Sequence, residues 1–272
     1  MVEIQILEKT GDFMRFIVRG VNVPFVNALR RIMLTEVPAM AIDEIVILEN
    51  SSILNDEILA HRMGFIPLKT DLDSYNLPEE CKCGSDLGCN LCRANLTLEA
   101  EAADKIMTVY SGEMKPENPD IAPVSDKIPI VKLAPEQRLK FEAYARLGQG
   151  KKHAKWQPVS MCTYMYLPEI KIDSKRCDAC GKCVKVCPEG ILVEADGTIK
   201  TQNEIECTLC MDCVDACPKD PAAVEVSWDE TAFIFKVEST GALPVERIVV
   251  EAVEILDKKI KDFSKQVKGI KK

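Results

Sequence analysis

The sequence predicts an α+β protein that carries a small cysteine-rich region. Three observations lead to this prediction. The first residues alternate apolar and polar side chains as a strand does, and the last segment, from Val245 onwards, repeats apolar residues at helical spacing. In addition, the 13 cysteines are unevenly spread, with four in residues 81–92, eight in residues 177–217 and Cys162 alone. In a reducing cytosol, such clusters indicate bound metal more often than disulfides.

Composition and charge argue against several classes of protein. The chain has 272 residues, 47% hydrophobic and 29% charged, which fits one or two domains with a sizeable core and, with small insertions, a third. Its formal charge of −8 argues against a general binder of nucleic acid or of membrane surfaces, because both are anionic. No run reaches the roughly 18 apolar residues of a membrane helix, and the start does not resemble a signal peptide. We therefore expect a cytoplasmic protein.

The periodicity of the first third of the chain predicts two pairs of elements. Residues 1–20 are expected to form a β-hairpin that turns at Gly11 and Asp12. Pro24 lies in the first turn of a predicted helix, which ends at Pro38. A strand at residues 42–48 and a helix from Asn55 to Phe65 follow.

The remaining elements are predicted in the same way. Short strands are expected at residues 96–98, 106–110, 191–193 and 224–226, and another at 232–237. Pro135 opens a pattern that we interpret as a helix, with apolar residues Leu139, Phe141, Tyr144 and Leu147, and a basic turn after Gly148 ends it. Gly241 and Pro244 introduce a long final helix.

Two cysteine runs with the same spacing lie within residues 177–218. They are Cys177-x2-Cys180-x2-Cys183-x3-Cys187-Pro188 and Cys207-x2-Cys210-x2-Cys213-x3-Cys217-Pro218, and every position recurs after 30 residues. This is the run of bacterial two-cluster ferredoxins, in which the fourth cysteine of each run ligates the other cluster. We therefore predict two [4Fe–4S] clusters: cluster one on Cys177, Cys180, Cys183 and Cys217, and cluster two on Cys207, Cys210, Cys213 and Cys187. Structural zinc sites and a degenerate remnant are the alternatives, but zinc rarely uses so compact a run and no ligand is missing.

A separate loop carries Cys81, Cys83, Cys89 and Cys92. Two close pairs of cysteines on either side of a glycine-bearing turn can present four thiolates to Zn²⁺. The C-x-C pair is a poorer zinc knuckle than C-x2-C, so an empty or disulfide-prone loop and a third iron–sulfur site are alternatives. The sequence leaves this choice open.

Two features of the helices suggest a partner. Arg30 and Arg31 lie beside the apolar stripe of the first helix, either on a solvated face or in contact with carboxylates of a partner. The final helix has an apolar stripe wider than its own small domain needs, which favours burial against a second subunit over burial within the chain. Its apolar positions are Val245, Ile248, Val249, Ala252, Val253, Ile255, Leu256, Ile260, Phe263 and Val267.

Four segments resemble the D subunit of archaeal RNA polymerase, which is related to the bacterial alpha amino-terminal region and to the third-largest eukaryotic subunit. They are Asn27-Ala-Leu-Arg-Arg-Ile-Met-Leu-Thr-Glu-Val-Pro, His61-Arg-Met-Gly-Phe-Ile-Pro-Leu, Lys152-His-Ala-Lys-Trp-Gln-Pro and Glu238-Ser-Thr-Gly-Ala-Leu-Pro. The resemblance covers essentially the whole chain. The presence of both complete iron–sulfur motifs is similar to members of the family from methanogens.

The resemblance implies a domain plan and partners. A discontinuous dimerisation domain would comprise residues 1–40 and 225–272, a mixed β domain 41–165, and a ferredoxin-like domain 166–224. The implied partners are the small subunit L, in a heterodimer, and the large catalytic subunits. We place the partner interface on Phe25, Leu29, Arg30, Arg31, Val249, Val253, Leu256 and Ile260. We expect no separate carboxy-terminal DNA-binding domain, and the 81–92 run differs in spacing from the zinc loop of eukaryotic relatives.

The sequence offers no catalytic site. Asp71 and Asp73 are the only close aspartate pair of the kind that holds Mg²⁺, and a loop position favours capping instead. His61 and His153 are expected to be structural. We predict a non-catalytic assembly platform of DNA-directed RNA polymerase, a nucleotidyltransferase whose chemistry belongs to other chains. An electron-transfer subunit of an oxidoreductase is the alternative and a stand-alone redox sensor a weaker one. The clusters occupy only about a fifth of the chain, and the rest has no flavin or nucleotide fingerprint.

Overall fold

Strands outnumber helices along residues 1–85 and 88–270, the part of the chain that this computed structural model describes. The strands are β1 Glu3–Lys9, β2 Phe13–Arg19, β3 Pro38–Asn50, β4 Ala94–Glu101, β5 Met107–Tyr110, β6 Lys115–Pro116, β7 Pro129–Leu133, β8 Arg138–Gln149, β9 Val159–Ile172, β10 Leu192–Ala195, β11 Thr198–Thr201 and β12 Val224–Ser239. The helices are α1 Val23–Thr35, α2 Asp56–Gly64, α3 Lys182–Val186, α4 Asp212–Asp215 and α5 Val245–Ile270. The predicted α+β class is confirmed.

The chain forms two compact units. The first unit comprises Met1–Leu7, Arg15–Val26 and Tyr164–Phe235, and the second comprises Glu8–Met14, Asn27–Thr163 and Lys236–Lys272. The division into three domains that the resemblance implies stays a prediction. Among the described residues, no helix combines the length and the apolarity needed to cross a membrane.

The cysteine-rich insertion continues from the ends of two long strands. Strands β9 and β12 are neighbours in a sheet of order β1-β2-β12-β9. In the first unit, aromatic rings lie along this sheet: Phe16 stacks on Phe235 with centroids 5.1 Å apart, and Tyr166 lies 5.0 Å from Phe233 and 5.7 Å from Trp228. Such pairs contribute about 0.5–1.5 kcal/mol each beyond the burial of their area. The insertion is therefore built on a stiff, well-packed strand pair.

The predicted short strand at 224–226 is only the beginning of β12, which runs to Ser239 and includes the strand predicted at 232–237. The strand predicted at 191–193 is found as β10, which pairs with β11 in an antiparallel hairpin. The hairpin at the N-terminus, α1, α2 and α5 also lie where the periodicity predicts them.

The helix predicted after Pro135 is wrong, because residues 138–149 form strand β8 at the centre of the sheet β3-β8-β4-β6. Every second residue of β8 from 139 to 147 is buried, which is the period of a strand with one covered face. The prediction gave weight to Tyr144, whose side chain lies on the other face, and overlooked the buried Ala143 and Ala145. Helix α2 covers the buried face with Leu59 and Met63.

The chain that follows β8 packs closely onto it. The indole Nε1 of Trp156 donates a hydrogen bond to the carbonyl of Arg146 at 3.1 Å, and the ring of Trp156 lies directly over Gly148. A Cβ at position 148 would overlap that ring. Gly148 is therefore required by close packing and not by a turn.

We predict that Gly148→Ala destabilises the fold by about 2 kcal/mol, because overpacking a filled contact costs about that much. Gly11→Ala is the matched control, since nothing lies within 4 Å of a Cβ there. Its effect should stay within about 0.5 kcal/mol. Urea unfolding followed by circular dichroism measures both. Equal stabilities of the two variants would contradict the packing described here.

Candidate metal centres and partner interface

Two pockets in the insertion each bring together four cysteines. The first is lined by Cys177, Cys180 and Cys183 of the first run and by Cys217 of the second. The other pocket is lined by Cys207, Cys210 and Cys213 of the second run and by Cys187 of the first. Each pocket thus takes three sulfurs from one run and the fourth from the other, the grouping that a two-cluster ferredoxin motif requires. The group that binds there remains a prediction.

The backbone of the two runs bends in the same way. Ala179 and Gly181 of the first run and Leu209 and Met211 of the second all have left-handed backbone, with φ between 54° and 68°. Outside glycine this conformation costs about 1 kcal/mol per residue and persists only where the surroundings enforce it. Helices α3 and α4 begin immediately after these bends. These left-handed residues bend the backbone of each run around its pocket.

Burial disfavours the ionisation of three of the eight insertion cysteines. Burial raises the pKa of Cys213 to about 11, and it raises the pKa of Cys183 and Cys207 as well. Burial also opposes the ionisation of Cys217, but backbone amides outweigh it and lower the pKa of that thiol; the amide of Ala223 donates to its Sγ at 3.3 Å. Grouped, half-buried thiols of this kind become thiolates when a metal replaces their protons.

The four-cysteine loop forms a more compact group. The Sγ atoms of Cys81, Cys83, Cys89 and Cys92 all lie within 4.8 Å of one another. Three of the separations are 3.7 Å (Cys81 to Cys89), 3.9 Å (Cys83 to Cys92) and 3.8 Å (Cys89 to Cys92). A tetrahedral ion with metal–sulfur bonds of about 2.3 Å separates its sulfur ligands by about 3.8 Å. The group can therefore hold a single metal ion; residues 86 and 87 of the same loop lie outside the described part.

Local contacts fix this arrangement. Gly88 has a φ of 80°, and a Cβ there would lie 3.3 Å from the Sγ of Cys92. The backbone amide of Cys89 donates to the Sγ of Cys92 at 3.2 Å, and the amide of Cys92 donates to the carbonyl of Cys89 at 2.9 Å. Lys152 pairs with Glu79 just before the loop. The sulfur separations exceed a disulfide bond of about 2.05 Å, and all four cysteines are free.

The predicted partner-facing residues of α1 divide into two kinds. Phe25 and Arg31 are exposed, whereas Leu29 is buried in its own chain. Arg30 is half-buried, and its Nε donates a hydrogen bond to the carbonyl of Cys162 at 3.1 Å. Arg30 thus fastens α1 to β9 within the chain, a role that its neighbour in sequence does not share.

Helix α5 carries an exposed apolar row, here named the α5 seam. It consists of Val253, Leu256, Ile260, Phe263, Val267 and Ile270, spaced alternately three and four residues apart. Leu256 is half-buried and the other five are exposed, Phe263 to 69%. Val249, half-buried, precedes the seam by one turn. Within α5 only Val245, Ile248 and Ala252 are buried among the described residues.

Sequence reasoning missed one charged cluster of the second unit. Asp43, whose side chain is only 13% exposed, pairs with both Lys155 and Arg146. A bulge in β3 at residues 42–44 turns this carboxylate towards them. Asp43 and Lys155 are more than 100 positions apart in the sequence, so no local sequence pattern could predict the cluster.

His61 and His153 both lie against the ring of Phe65, with ring centroids 5.1 and 5.6 Å from its centroid.

Comparison with known proteins decides the family. The family model described as "RNA polymerase Rpb3/Rpb11 dimerisation domain" matches residues 15–260. The chain belongs to this family. The curated relatives named "DNA-directed RNA polymerase subunit Rpo3" match almost end to end: that of Pyrococcus horikoshii is 42% identical over 275 residues and that of Archaeoglobus fulgidus 38% over 270, each covering 99% of both chains. The relative from Methanosphaera stadtmanae is 39% identical over 260 residues, covering 95% of this chain and 96% of its own.

The family membership confirms the predicted resemblance to an archaeal RNA polymerase subunit, whereas the two-cluster iron–sulfur type stays a prediction. It favours a polymerase subunit over an electron-transfer subunit of an oxidoreductase, because the match spans both sides of the insertion and is not confined to the cysteine runs.

Metal binding to the four-cysteine group should tighten as the pH rises. Burial raises the pKa of Cys92 to about 12, so at neutral pH its thiol carries a proton that a metal ion must displace. By contrast, the backbone amide of Ser85 and the thiol of Cys81 lower the pKa of Cys83. Each displaced proton should raise the affinity about tenfold per pH unit. Calorimetric titration of the demetallated chain with Zn²⁺ at about pH 6, 7 and 8 tests this; an affinity independent of pH would contradict it.

Proposed function

We propose that the chain is a non-catalytic assembly subunit of DNA-directed RNA polymerase. It pairs with a small subunit, corresponding to subunit L, and the pair presents a platform for the large catalytic subunits. The chain needs no direct sequence-specific contact with DNA for this role. The observation that carries the proposal is the α5 seam, an exposed apolar row in a family defined by dimerisation.

The geometry of the α5 seam suits a helix of a partner. Apolar residues that alternate at three and four residues form one continuous stripe, the pattern of helices that pair side by side. Left uncovered, five exposed large apolar side chains on one stripe would be unfavourable in water and prone to association. Two ion pairs anchor the helix in the second unit: Arg247 pairs with Asp73 at 2.7 Å near its start, and Lys259 pairs with Glu36 near its middle. These ion pairs hold α5 in place, so the position of the α5 seam is fixed within the second unit.

Helix α1 adds the second part of the proposed interface. Phe25 and Arg31 offer an apolar and a cationic contact on its exposed side. Arg30 would act through its bond to Cys162, by holding α1 in place, more than through direct contact with the partner.

We further propose that the insertion holds two [4Fe–4S] clusters and the four-cysteine loop one Zn²⁺. The residues fit these groups: two sets of four cysteines with exchanged fourth ligands suit two cubanes, and four sulfurs about 3.8 Å apart suit one tetrahedral ion. When bound, the metals supply crosslinks between segments that are otherwise joined only by short hairpins and turns. Eight cluster thiols that must stay reduced favour a cytoplasmic location.

Metal analysis of the anaerobically purified chain tests these cofactors. We expect about eight iron atoms and about one zinc ion per chain. Cys89→Ser should remove the zinc and keep the iron, because Cys89 belongs only to the four-cysteine group. Cys162→Ser is the matched control and should keep both, since this buried cysteine lies apart from the three cysteine groups. Zinc retained at the same level in Cys89→Ser would refute the proposed site.

The assembly role is tested by shortening the side chains of the α5 seam. The double variant Ile260→Ala, Phe263→Ala should weaken pairing with the small subunit by about 3 kcal/mol, roughly a hundredfold in affinity, because two apolar anchors are lost. Both residues are more than half exposed in the single chain, so its own stability should barely change. Lys265→Ala, on the opposite side of the helix, is the control.

The measurement is an anaerobic pull-down of the tagged chain from its own cells, with the bound chains identified by mass spectrometry. The unaltered chain and Lys265→Ala should recover a small partner in near-equal amount together with two very large chains. The double variant should recover far less. Recovery of flavoproteins or hydrogenase-type chains in their place would refute the assembly role.

A further inference from the structure

A buried arginine joins strand β2 to the second cysteine run. Arg15 lies in β2 and is 9% exposed. Its Nη1 pairs with the carboxylate of Glu206, and its Nη2 donates a hydrogen bond to the carbonyl of Ile205 at 2.9 Å. Its Nε is also buried and has no hydrogen-bond partner among residues 1–85 and 88–270. The guanidinium thus depends on the two residues that precede Cys207, and all three residues belong to the first unit.

The two cysteine runs differ at this position. The offset of 30 residues that relates the runs places Arg176 in the first run where Glu206 stands in the second. Arg176 bonds within the insertion, with Nε donating to Asp173 at 2.6 Å and Nη1 to the carbonyl of Pro221 at 3.3 Å. Its side chain is 44% exposed. The first run is therefore fastened to the insertion itself, whereas the second run is fastened to β2.

The short segment before Cys207 is a hydrogen-bonded turn that couples the position of Glu206 to that of Cys207. Residues Glu204–Glu206 form a single 3-10 turn that follows Asn203 in left-handed backbone, with φ of 48°. The amide of Glu206 donates to the carbonyl of Asn203 at 2.9 Å, and the amide of Cys207 donates to the carbonyl of Glu204 at 3.0 Å. The place of Glu206 therefore fixes where the backbone of Cys207 begins.

We propose that Arg15 is a positioning residue for Cys207 and hence for cluster two, and that cluster two in turn stabilises β2. The inference rests on the proposed function in one respect, that the insertion holds two clusters. A buried guanidinium whose anionic partner is withdrawn is strongly unfavourable. Loss of cluster two would free residues 205–207 and withdraw that partner. Loss of cluster one would not, because the hydrogen bonds of the Arg176 guanidinium go to Asp173 and Pro221 of the insertion and not to β2.

The first experiment measures iron per chain and the electron paramagnetic resonance of the reduced full-length protein after anaerobic purification. Arg15→Met should lower the iron from about eight to about four atoms and leave the signal of a single cluster. Arg176→Met is the matched control and should keep about eight. Arg15→Lys, which keeps the charge, should retain more iron than Arg15→Met. About eight iron atoms in Arg15→Met would overturn the inference.

A second variant guards against a general loss of folding. Glu206→Gln removes the carboxylate from the other side of the pair and should lose iron in the same way. Because both changes remove one interaction, the double variant Arg15→Met, Glu206→Gln should hold as much iron as Arg15→Met alone. Independent, additive losses would show that the two residues act separately and would overturn the inference.

The reverse direction is measured by hydrogen exchange of residues 13–19. Cys210→Ser, which removes a ligand of cluster two, should speed amide exchange in β2 at least tenfold, whereas Cys180→Ser, which removes a ligand of cluster one, should leave it unchanged. Equal exchange in the two variants would overturn the coupling.

The two proposals fail differently. An unaltered chain without iron would overturn the proposed clusters and this inference with them. The expected iron and exchange patterns in a chain that recovers no polymerase subunits would support the positioning role of Arg15 and refute the assembly role alone.

Discussion

The insertion between β9 and β12 has a small apolar core, and this constraint shapes the rest of the structure. In the described part this core has three buried residues, Leu192, Ile199 and Val224, with half-buried aliphatic side chains and cysteines packed against them, whereas the described core around the β3-β8-β4-β6 sheet has 23 buried residues. A segment with so small a core needs crosslinks, and we propose that bonds from its cysteine thiolates to metal supply them. The long strands β9 and β12 give those crosslinks a stiff base, since their rings stack in the same unit.

Different forces hold the remaining parts. Apolar burial stabilises the β3-β8-β4-β6 sheet and α2, and a single metal-sized group of four sulfurs closes its most irregular loop. Among the described residues, five of the six apolar side chains of the α5 seam are exposed, and we propose that a partner covers them. Arg15 links the cysteine-rich insertion to β2, the strand that leads into α1.

Much of this could be predicted from the sequence, for physical reasons that differ by element. Helices α1 and α5 and the first hairpin follow from periodicity, and the grouping of the eight cysteines into two pockets follows from ligand spacing, which is local. The sequence of strand β8 resembles a helix because two of the five alternating buried positions from 139 to 147 are alanines, which give a weak apolar signal. The Arg15–Glu206 pair spans 191 residues, so only folding brings it together. The spacing of the four loop cysteines in the sequence likewise does not predict that their Sγ atoms lie near 3.8 Å from one another.

Native mass spectrometry of the complex, purified anaerobically from its own cells, tests the central claim most directly. We expect one species that contains this chain, one small partner chain, two [4Fe–4S] clusters and one zinc ion, and that is also found bound to two very large chains. A chain recovered alone, or as a pair of identical copies without iron, would contradict both the partner on the α5 seam and the metal crosslinks of the insertion.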